Sequence, residues 1–257
     1  MSNESLYVYG IVKSGFNLDW KEQGIEKENV YSISEGKFSA LVHNCEQKAY
    51  VSQDIEKIKE LIIAHNMILD RAMEDFDGVI PLSFNTIIKK NENPAYYNLK
   101  KWLNDDQGRL ERIWNKVKCK KEYGLRIYFE KNKLIEGVSN SKEIKKIEKI
   151  QEEKGQGLRY LLQTKAKAKI DEIVQERINQ LKQKFCNEVK EIAEVKVNIS
   201  RIGIKEEKDL LLGLSILTNK EQIGKIKEYL EKKENQSFSF QLVGPFAPYS
   251  FVKNDKK

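Results

Sequence analysis

The sequence predicts an α+β fold arranged as two domains. Segments with the two-residue alternation of strands are interleaved with segments whose apolar residues recur every three or four positions, as in helices. A chain of 257 residues with 40% apolar residues can fill one large core or two of ordinary size. The formal net charge of +7 arises from residues 121–257, because residues 1–120 are nearly balanced. Much of this basic excess alternates with Glu along helices, which favours a solvated surface.

Residues 1–118 are predicted to form the first domain, a mixed sheet with helices. Residues 6–12 are rich in aromatic and β-branched side chains, which predicts a buried strand that can be central. Two more strands, 29–34 and 37–45, flank a tight turn at Glu35-Gly36. They are expected to pair as a hairpin.

Helical periodicity follows the hairpin. With Ser52 as the N-cap, a helix is expected to run to a break at Asp77-Gly78. A strand should follow with Pro81 at an edge or a bulge, because proline cannot donate a ladder hydrogen bond. A second helix is expected after Pro94, with a break at Gly108. The apolar residues that define the first helix are Ile55, Ile58, Leu61, Ile62, Ile68 and Leu69.

Residues 119–257 are predicted to form the second domain, with elements in the order βαββαβ. These are a strand at 123–129, a long helical region at 141–190, strands at 195–200 and 210–217, a helix at 221–233 and a last strand from 238. This order is that of a ferredoxin-like domain, here with an enlarged first helix. In that topology the first and third strands are central, and the last strand lies at an edge beside the first.

The chain ends in an aromatic stretch, FSFQLVGPFAPYSFV from Phe238. Its first half alternates as a half-buried strand does. Gly244-Pro245 should end the ladder, because proline has no N–H to donate. We expect the remainder to close the core of the second domain, with a docking segment for another protein as the alternative. Phe246 and Tyr249 are the residues that would touch such a partner if they are exposed.

The sequence shows no catalytic set, metal site or cofactor motif. His43 and Cys45 share a face of a predicted strand and could form an activated thiolate, but we expect His43 to be exposed near a loop. His65, on the first helix, is expected to be a structural hydrogen-bond partner. The three cysteines lie far apart, which predicts neither a zinc site nor a disulfide and suits a reducing compartment.

Neither nucleic acid nor a lipid membrane is an expected partner. The Lys-rich segments 142–154 and 165–169 lack the interleaved aromatics of single-strand binding sites. Gly155-Gln156-Gly157 does not match a nucleotide-binding loop. The first residues carry no export signal, and no apolar run approaches the length of a membrane span.

Several motifs together resemble the GvpF/GvpL family of gas-vesicle proteins over nearly the whole chain. The most specific is GPFAPYSFV at 244–252, with two prolines, a glycine and several aromatics in fixed order. The others are LYVYGIV at 6–12, AHN at 64–66 followed by VIPLSFNT at 79–86, YGLRIYF at 123–129 and GLRYLLQTKAKA at 157–168.

Three positions depart from the family pattern. Ser83, Asn85 and Phe246 stand where the family commonly has Arg, Gly and Trp. Because Asn tolerates left-handed backbone, we expect position 85 to keep the same turn. The motif residues that are candidates for family-specific contacts are His65, Asn66, Pro81, Phe84, Gly244, Pro245, Phe246, Pro248, Tyr249 and Phe251.

The resemblance implies a two-domain, non-enzymatic accessory protein that is located at the gas vesicle and required for its assembly. It also implies contacts with the major shell protein GvpA and with other gas vesicle accessory proteins, and it implies no cofactor. The alternative function is RNA binding by a ferredoxin-like domain that uses the basic C-terminal half.

Overall fold

The computed structural model describes residues 5–13, 20–140, 156–198, 209–235 and 237–252. These residues adopt a mixed α+β fold with two sheets and seven α-helices. They divide into two compact units. The first comprises the residues up to Tyr123, together with Leu217–Asn219 and the residues from Gly244 onward; the second comprises Gly124–Ile216 and Lys220–Val243.

An antiparallel sheet forms the centre of the first unit. Its strands are β1 (Ser5–Val12), β2 (Glu22–Gln23), β3 (Asn29–Glu35), β4 (Phe38–Cys45), β5 (Ile80–Pro81) and β6 (Ile87–Ile88). They follow the order β2-β3-β4-β1-β5, and β6 also pairs with β1. The predicted hairpin is confirmed as β3 and β4, with Gly36 of its turn in left-handed backbone at φ 58°. Pro81 lies at the sheet edge, as predicted.

Strand β1 is buried on both faces, which explains why its sequence is a continuous apolar and aromatic run. Leu6 and Val8 belong to the hydrophobic cluster on one face of the sheet, whereas Tyr7 and Tyr9 belong to the cluster on the other. A bulge follows Val8. Gly10 then allows close packing, because a Cβ there would lie 2.8 Å from a methyl of Leu69.

Helices cover both faces of this sheet. They are α1 (Ile55–Asp75), α2 (Ala95–Asp105) and α3 (Gln107–Val117). Through Leu61, Ile68 and Leu69, α1 packs in the cluster that contains Tyr7 and Tyr9. The cluster on the opposite face of the sheet contains the buried apolar residues of α2 and α3, which are Ala95, Leu99, Leu103, Leu110, Ile113, Trp114 and Val117.

Two details of these helices correct the sequence predictions. The N-cap of α1 is Asp54 and not Ser52: the Asp54 carboxylate accepts from the Glu56 amide at 2.9 Å, while the Ser52 hydroxyl accepts from the Asp54 amide at 3.0 Å. The helical region after Pro94 is interrupted at Asp106 and not at Gly108. Gly108 lies inside α3, with no neighbouring atom within 4 Å of an added Cβ.

The second unit is built around a four-stranded sheet. Its strands are β7 (Lys121–Phe129), β8 (Glu194–Asn198), β9 (Asp209–Thr218) and β10 (Phe238–Phe246), and its helices are α4 (Lys131–Ser139), α5 (Gln156–Lys190) and α6 (Lys220–Lys233). The strand order is β10-β7-β9-β8, so the first and third strands are central and the last lies at an edge beside the first, as predicted. Helix α4 was not predicted, and residues 141–155 and 199–208 lie outside the described part of the chain.

The core of the second unit joins this sheet to α5 and α6. The long helix contributes its predicted apolar stripe, including Val174, Ile178 and Phe185. The Phe185 ring meets those of Phe238 and Phe240 on β10 edge-on, at centroid distances of 5.2 and 5.9 Å. The alternating half of the aromatic stretch therefore packs as the sequence predicts.

The rest of the aromatic stretch departs from the prediction. Strand β10 continues through Gly244-Pro245 to Phe246, which an edge strand permits because one missing amide donor need not break its pairing. The segment 244–252 then belongs to the first unit and ends in a short helix, α7 (Tyr249–Val252). Ala247 and Phe251 are buried in the two clusters of that unit, so this segment does not close the core of the second unit.

Candidate functional site

Six polar aromatic side chains meet in the first unit between the sheet and α1. We call this group the Tyr–His cluster. It contains both histidines of the chain, and its members are Tyr7, Tyr9, His43, Tyr50, His65 and Tyr249. Tyr7 and Tyr9 alternate with apolar residues along β1, so they point to the same face of the sheet.

His65 lies on the buried face of α1 between two tyrosine hydroxyls. Its Nδ1 is 2.9 Å from the Tyr7 hydroxyl, and its Nε2 is 2.9 Å from the Tyr249 hydroxyl. The Tyr249 hydroxyl donates to the Asn66 side-chain oxygen at 3.2 Å, and the Tyr7 hydroxyl accepts from the Asn85 amide at 3.1 Å.

One neutral tautomer of His65 satisfies both of these tyrosine partners. Because the Tyr249 hydroxyl already donates to Asn66, it can accept from Nε2–H. Because the Tyr7 hydroxyl already accepts from an amide, it can donate to Nδ1. Both ring nitrogens are satisfied when the imidazole is neutral and carries its proton on Nε2.

His43, on β4, repeats this arrangement. Its Nδ1 is 2.8 Å from the Tyr9 hydroxyl, which accepts from the Ile25 amide at 2.9 Å, and its Nε2 is 3.0 Å from the Tyr50 hydroxyl. His43 is fully buried, so the prediction that it is exposed near a loop is wrong. The side chain points inward from its strand, where tyrosine hydroxyls satisfy both ring nitrogens.

Ring stacking holds the cluster together as well as hydrogen bonding. The Tyr7 ring stacks on His43 with centroids 5.0 Å apart and planes 15° apart, and Tyr9 stacks on His65 at 5.3 Å and 26°. Phe84 meets His65 edge-on at 6.0 Å. Each histidine is therefore bonded in its plane and covered on its face, which restricts both its position and its protonation.

A loop after β5 closes one side of the cluster. Asn85 has left-handed backbone, with φ 66°, as predicted for this turn. Its side-chain amide donates to the Tyr50 carbonyl at 3.0 Å, and its side-chain oxygen accepts from the Tyr50 amide at 2.9 Å. Asn85 thus couples this loop to the segment that carries Tyr50.

Burial sets the ionisation of the cluster. Desolvation lowers the pKa of His43 to about 4, and it lowers the pKa of His65 to about 4 against the opposing effect of the Leu82 carbonyl. Desolvation also raises the pKa of Tyr7 and of Tyr249. All of these groups are neutral at pH 7, so the cluster is a neutral hydrogen-bonded network.

Cys45 was the one residue for which the sequence suggested nucleophilic chemistry. It is a free thiol, and burial raises its pKa to about 11. This shift is opposite to the one that activates a catalytic cysteine. Among the described residues, no group of three or more His, Cys, Asp or Glu side chains is placed to hold a metal ion.

The C-terminal segment is fixed to the first unit by more than Tyr249. The Glu122 carboxylate accepts from the Ser250 amide at 2.8 Å and from the Ser250 hydroxyl at 2.5 Å. Phe251 is 2% exposed and lies 5.8 Å from the Lys116 ammonium group. This segment is therefore an integral part of the first unit.

The structure separates the predicted site residues into three groups. His65 and Tyr249 belong to the Tyr–His cluster, and Asn66 and Phe84 contact it. Pro81, Pro248 and Phe251 are buried. Gly244, Pro245 and Phe246 are exposed, and Phe246 retains 49% of its surface.

Sequence reasoning missed most of the cluster. It assigned Tyr7 and Tyr9 only to a strand and did not single out Tyr50. The Tyr-x-Tyr spacing on a strand that is buried throughout was an available signal, because each buried hydroxyl needs a hydrogen-bond partner. The two histidines were the only ring acceptors in the sequence for such donors.

Comparisons with known proteins find matches that extend over nearly the whole chain. The profile of the family described as "Gas vesicle synthesis protein GvpL/GvpF" matches residues 5–253. Gas vesicle protein L of Haloferax mediterranei is 23% identical over 243 residues, covering 91% of this chain and 74% of that protein. Gas vesicle protein L1 of Halobacterium salinarum is 21% identical over 263 residues, covering 96% of this chain and 89% of that protein.

Two crystal structures share the fold. The gas vesicle protein GvpF from Anabaena sp. PCC7120 superposes with a TM-score of 0.75 at 20% identity, covering 97% of this chain and 98% of that one. GvpF from Microcystis aeruginosa gives a TM-score of 0.70 at 19% identity, covering 98% of this chain and 100% of that one. None of these comparisons supports the RNA-binding alternative. In the described part of the chain, no helix is both long and apolar enough to cross a membrane.

Proposed function

Because the chain belongs to the gas vesicle synthesis protein GvpL/GvpF family, we propose that it is a non-enzymatic accessory protein required for gas vesicle assembly. The observation that carries this proposal is the family match, which extends over residues 5–253. The proteins that this chain is similar to include gas vesicle proteins L and F of several organisms. The protein acts at the gas vesicle.

The chemistry of the Tyr–His cluster supports a structural role for this cluster. The two histidines are neutral and held by tyrosines, and the pKa of the nearby Cys45 thiol is raised. Such a network stabilises one arrangement of strands and helix. It supplies neither a base with a pKa near 7 nor an activated nucleophile.

The partners we propose are the major shell protein GvpA and other gas vesicle accessory proteins. The exposed part of the family motif, Gly244-Pro245-Phe246, is the contact that we assign to them. Phe246 presents a large aromatic surface to solvent at the end of an edge strand. Exposed aromatics and edge strands are both common means of binding extended apolar segments.

We assign a ferredoxin-like topology to the second unit within this function. The support is the strand order β10-β7-β9-β8 together with the sequence order of strands and helices from β7 to β10. The last strand of this sheet ends with the proposed contact residues, Gly244-Pro245-Phe246.

Co-purification tests the proposed binding. The tagged full-length chain, expressed in vesicle-forming cells, should recover GvpA or another vesicle protein. The Phe246→Ser variant should recover several-fold less, whereas Tyr97→Ser, which changes an aromatic that is 55% exposed on α2, should behave as the unchanged chain. Recovery of no vesicle component by the unchanged chain would contradict the proposal.

A further inference from the structure

Helix α1 carries apolar side chains on two faces. Its inner face packs on the sheet through Leu61, Ile68 and Leu69. Four further large apolar residues lie on its other side in contact with solvent, and we call them the outer face of α1. They are Ile55, Ile62, Ile63 and Met67, which are 69%, 38%, 57% and 62% exposed.

The outer face is one continuous surface. At about 100° per residue, its four side chains fall within one sector of roughly 140° around the helix axis. Ile63 and Met67 form its centre and are neighbours on the helix surface, because they lie one turn apart. A surface helix usually presents polar residues on this side, so an apolar surface here indicates a site that another molecule covers.

The charged residues around the outer face are mostly acidic. On the exposed side of α1, four carboxylates stand against two cations, which gives this side a net charge of −2 in a chain whose net charge is +7. Lys57 and Asp75, at the border with the buried side, cancel each other. Two residues of other elements that act on this side, Glu22 and Lys121, cancel as well. The residues that give the net charge of −2 are Glu56, Lys59, Glu60, Asp70, Arg71 and Glu74.

Both cations on this side already have anionic partners. Lys59 pairs with Glu56 at 2.6 Å, and Arg71 pairs with three carboxylates at 3.0 to 3.5 Å. Within the described residues, Glu60 and Asp70 make no ion pair. The outer face therefore has two exposed carboxylates that an external cation can neutralise.

These two carboxylates bracket the apolar centre of the outer face. Glu60 lies three residues before Ile63, and Asp70 lies three residues after Met67. Side chains at this spacing are neighbours on a helix, and about 15 Å along the axis separates the two carboxylates. The order along the surface is thus acid, apolar, apolar, acid.

We propose that the outer face of α1 docks an amphipathic helix of another protein that carries Lys or Arg at both ends of its apolar stripe. Two cations about ten residues apart on that helix lie beside Glu60 and Asp70. The apolar residues between them pack on Ile63 and Met67. This contact shares no residue with the one assigned to Gly244-Pro245-Phe246.

Charge selects a basic partner. A second copy of this face would bring the same net negative charge, and nucleic acid and anionic membranes are negative as well, so each of them is repelled. A basic helix supplies the two cations that Glu60 and Asp70 lack. Since the cations stand at both ends of the stripe, the match is kept for either direction of the docked helix.

The backbone of α1 selects a helical partner. The amides and carbonyls within a helix are bonded to one another, so an extended segment laid on α1 would find no backbone partners for its own polar groups. A second helix brings its backbone hydrogen bonds with it and packs its side chains between those of α1.

The size of the surface predicts a weak complex. One helix face buries well under the ~800 Å² per partner that is typical of stable interfaces. We therefore expect a Kd of roughly 10 µM to 1 mM for a single helical segment.

Binding of two synthetic peptides to the full-length chain tests the proposal. One is an alanine-based helix with two lysines about ten positions apart and leucines between them, and the other has glutamate in place of both lysines. Fluorescence anisotropy at about 50 mM salt measures both Kd values. The lysine peptide should bind about 10-fold or more tightly than the glutamate peptide, because two attractive contacts replace two repulsive ones.

Variants of α1 show whether the peptide binds at the outer face. Glu60→Lys with Asp70→Lys should reverse the preference, so that the glutamate peptide binds more tightly. Ile63→Ser with Met67→Ser should weaken binding of the lysine peptide by about 10-fold or more, while Tyr97→Ser on α2 should leave it unchanged. Far-ultraviolet circular dichroism and urea unfolding verify that each variant is folded. The proposal is overturned if the two peptides bind equally, if the charge reversal leaves the preference unchanged, or if the serine variant binds normally.

Cross-linking tests the natural partner. A photoreactive amino acid in place of Ile63, in the full-length chain expressed in vesicle-forming cells, should cross-link to another protein. The cross-linked peptide, mapped by mass spectrometry, should carry Lys or Arg on both sides of apolar residues at helical spacing, whichever protein it comes from. A cross-link to a second copy of α1 or to lipid, or no cross-link at all, would contradict the proposal.

Discussion

Replacing Tyr249 by Phe tests how the C-terminal segment is joined to the first unit. The Tyr249 hydroxyl accepts from His65 Nε2–H at 2.9 Å and donates to the Asn66 side-chain oxygen at 3.2 Å. Phenylalanine keeps the ring and its packing but removes both hydrogen bonds. The change therefore isolates the polar contribution of this contact.

The loss of stability caused by Tyr249→Phe depends on how far water can replace the lost hydroxyl. Each neutral hydrogen bond contributes about 1 kcal/mol, and a buried donor that loses its partner costs about 1–3 kcal/mol. His65 is 1% exposed, so water cannot replace the hydroxyl there, whereas Asn66 is partly exposed and can bond to water. We expect Tyr249→Phe to lower the free energy of unfolding of the first unit by about 2 kcal/mol.

The distribution of tryptophans makes this measurement specific. All three, Trp20, Trp102 and Trp114, lie in the first unit, so intrinsic fluorescence during urea unfolding reports that unit. Tyr97→Phe is the matched control, because it removes a hydroxyl from a half-exposed ring and should change stability by less than about 0.5 kcal/mol.

A double-mutant cycle identifies the partner. In a His65→Leu background there is no buried Nε2–H that could lose its acceptor. Adding Tyr249→Phe should therefore lower the free energy of unfolding by at least about 1 kcal/mol less than it does in the unchanged chain. Equal stability of Tyr249→Phe and Tyr97→Phe, or full additivity in the cycle, would refute the assignment of Tyr249 to a buried bond with His65.

Three further predictions concern the same unit. His43 and His65 each have a pKa lowered to about 4 in the folded chain, against about 6.5 when unfolded, so as the pH falls from 6.5 these two side chains take up protons in the unfolded chain before they do so in the folded chain. The free energy of unfolding should therefore fall between pH 6.5 and pH 4 by about 3 kcal/mol per histidine; urea midpoints that do not change over this range would contradict their burial. Asn85→Ala should destabilise the unit by about 2 kcal/mol and Asn85→Gly by less, because only alanine adds strain at φ 66°; the reverse order in thermal unfolding would refute this. Phe251→Ala should cost about 3–5 kcal/mol and shift the tryptophan-detected transition, and an unshifted transition would show that the segment does not belong to this core.

The predictable part of this fold is the part set by local periodicity. The buried strand at 6–12, the hairpin around Gly36 and the long apolar stripe of α5 follow from patterns that one element satisfies by itself. The order of strands in the second unit also followed from the order of elements. In these regions local preference and final packing agree.

The unpredicted part depends on partners that are distant in the sequence. The apolar residues of 244–252 required burial, but nothing local indicated that Ala247 and Phe251 would pack in the first unit rather than the second. His43 was expected to be exposed because the tyrosines that satisfy its nitrogens come from β1 and from a loop. Helix periodicity likewise could not show that Ile55 and Ile62 of α1 are exposed while Leu61 is buried.

The central claim, that this protein is required for gas vesicle assembly, is tested most directly by deleting its gene from a minimal vesicle gene cluster. Electron microscopy of the cells is the measurement. We predict that the deletion abolishes vesicles and that the unchanged gene supplied separately restores them. Normal numbers of vesicles of normal shape in the deletion strain would contradict the claim.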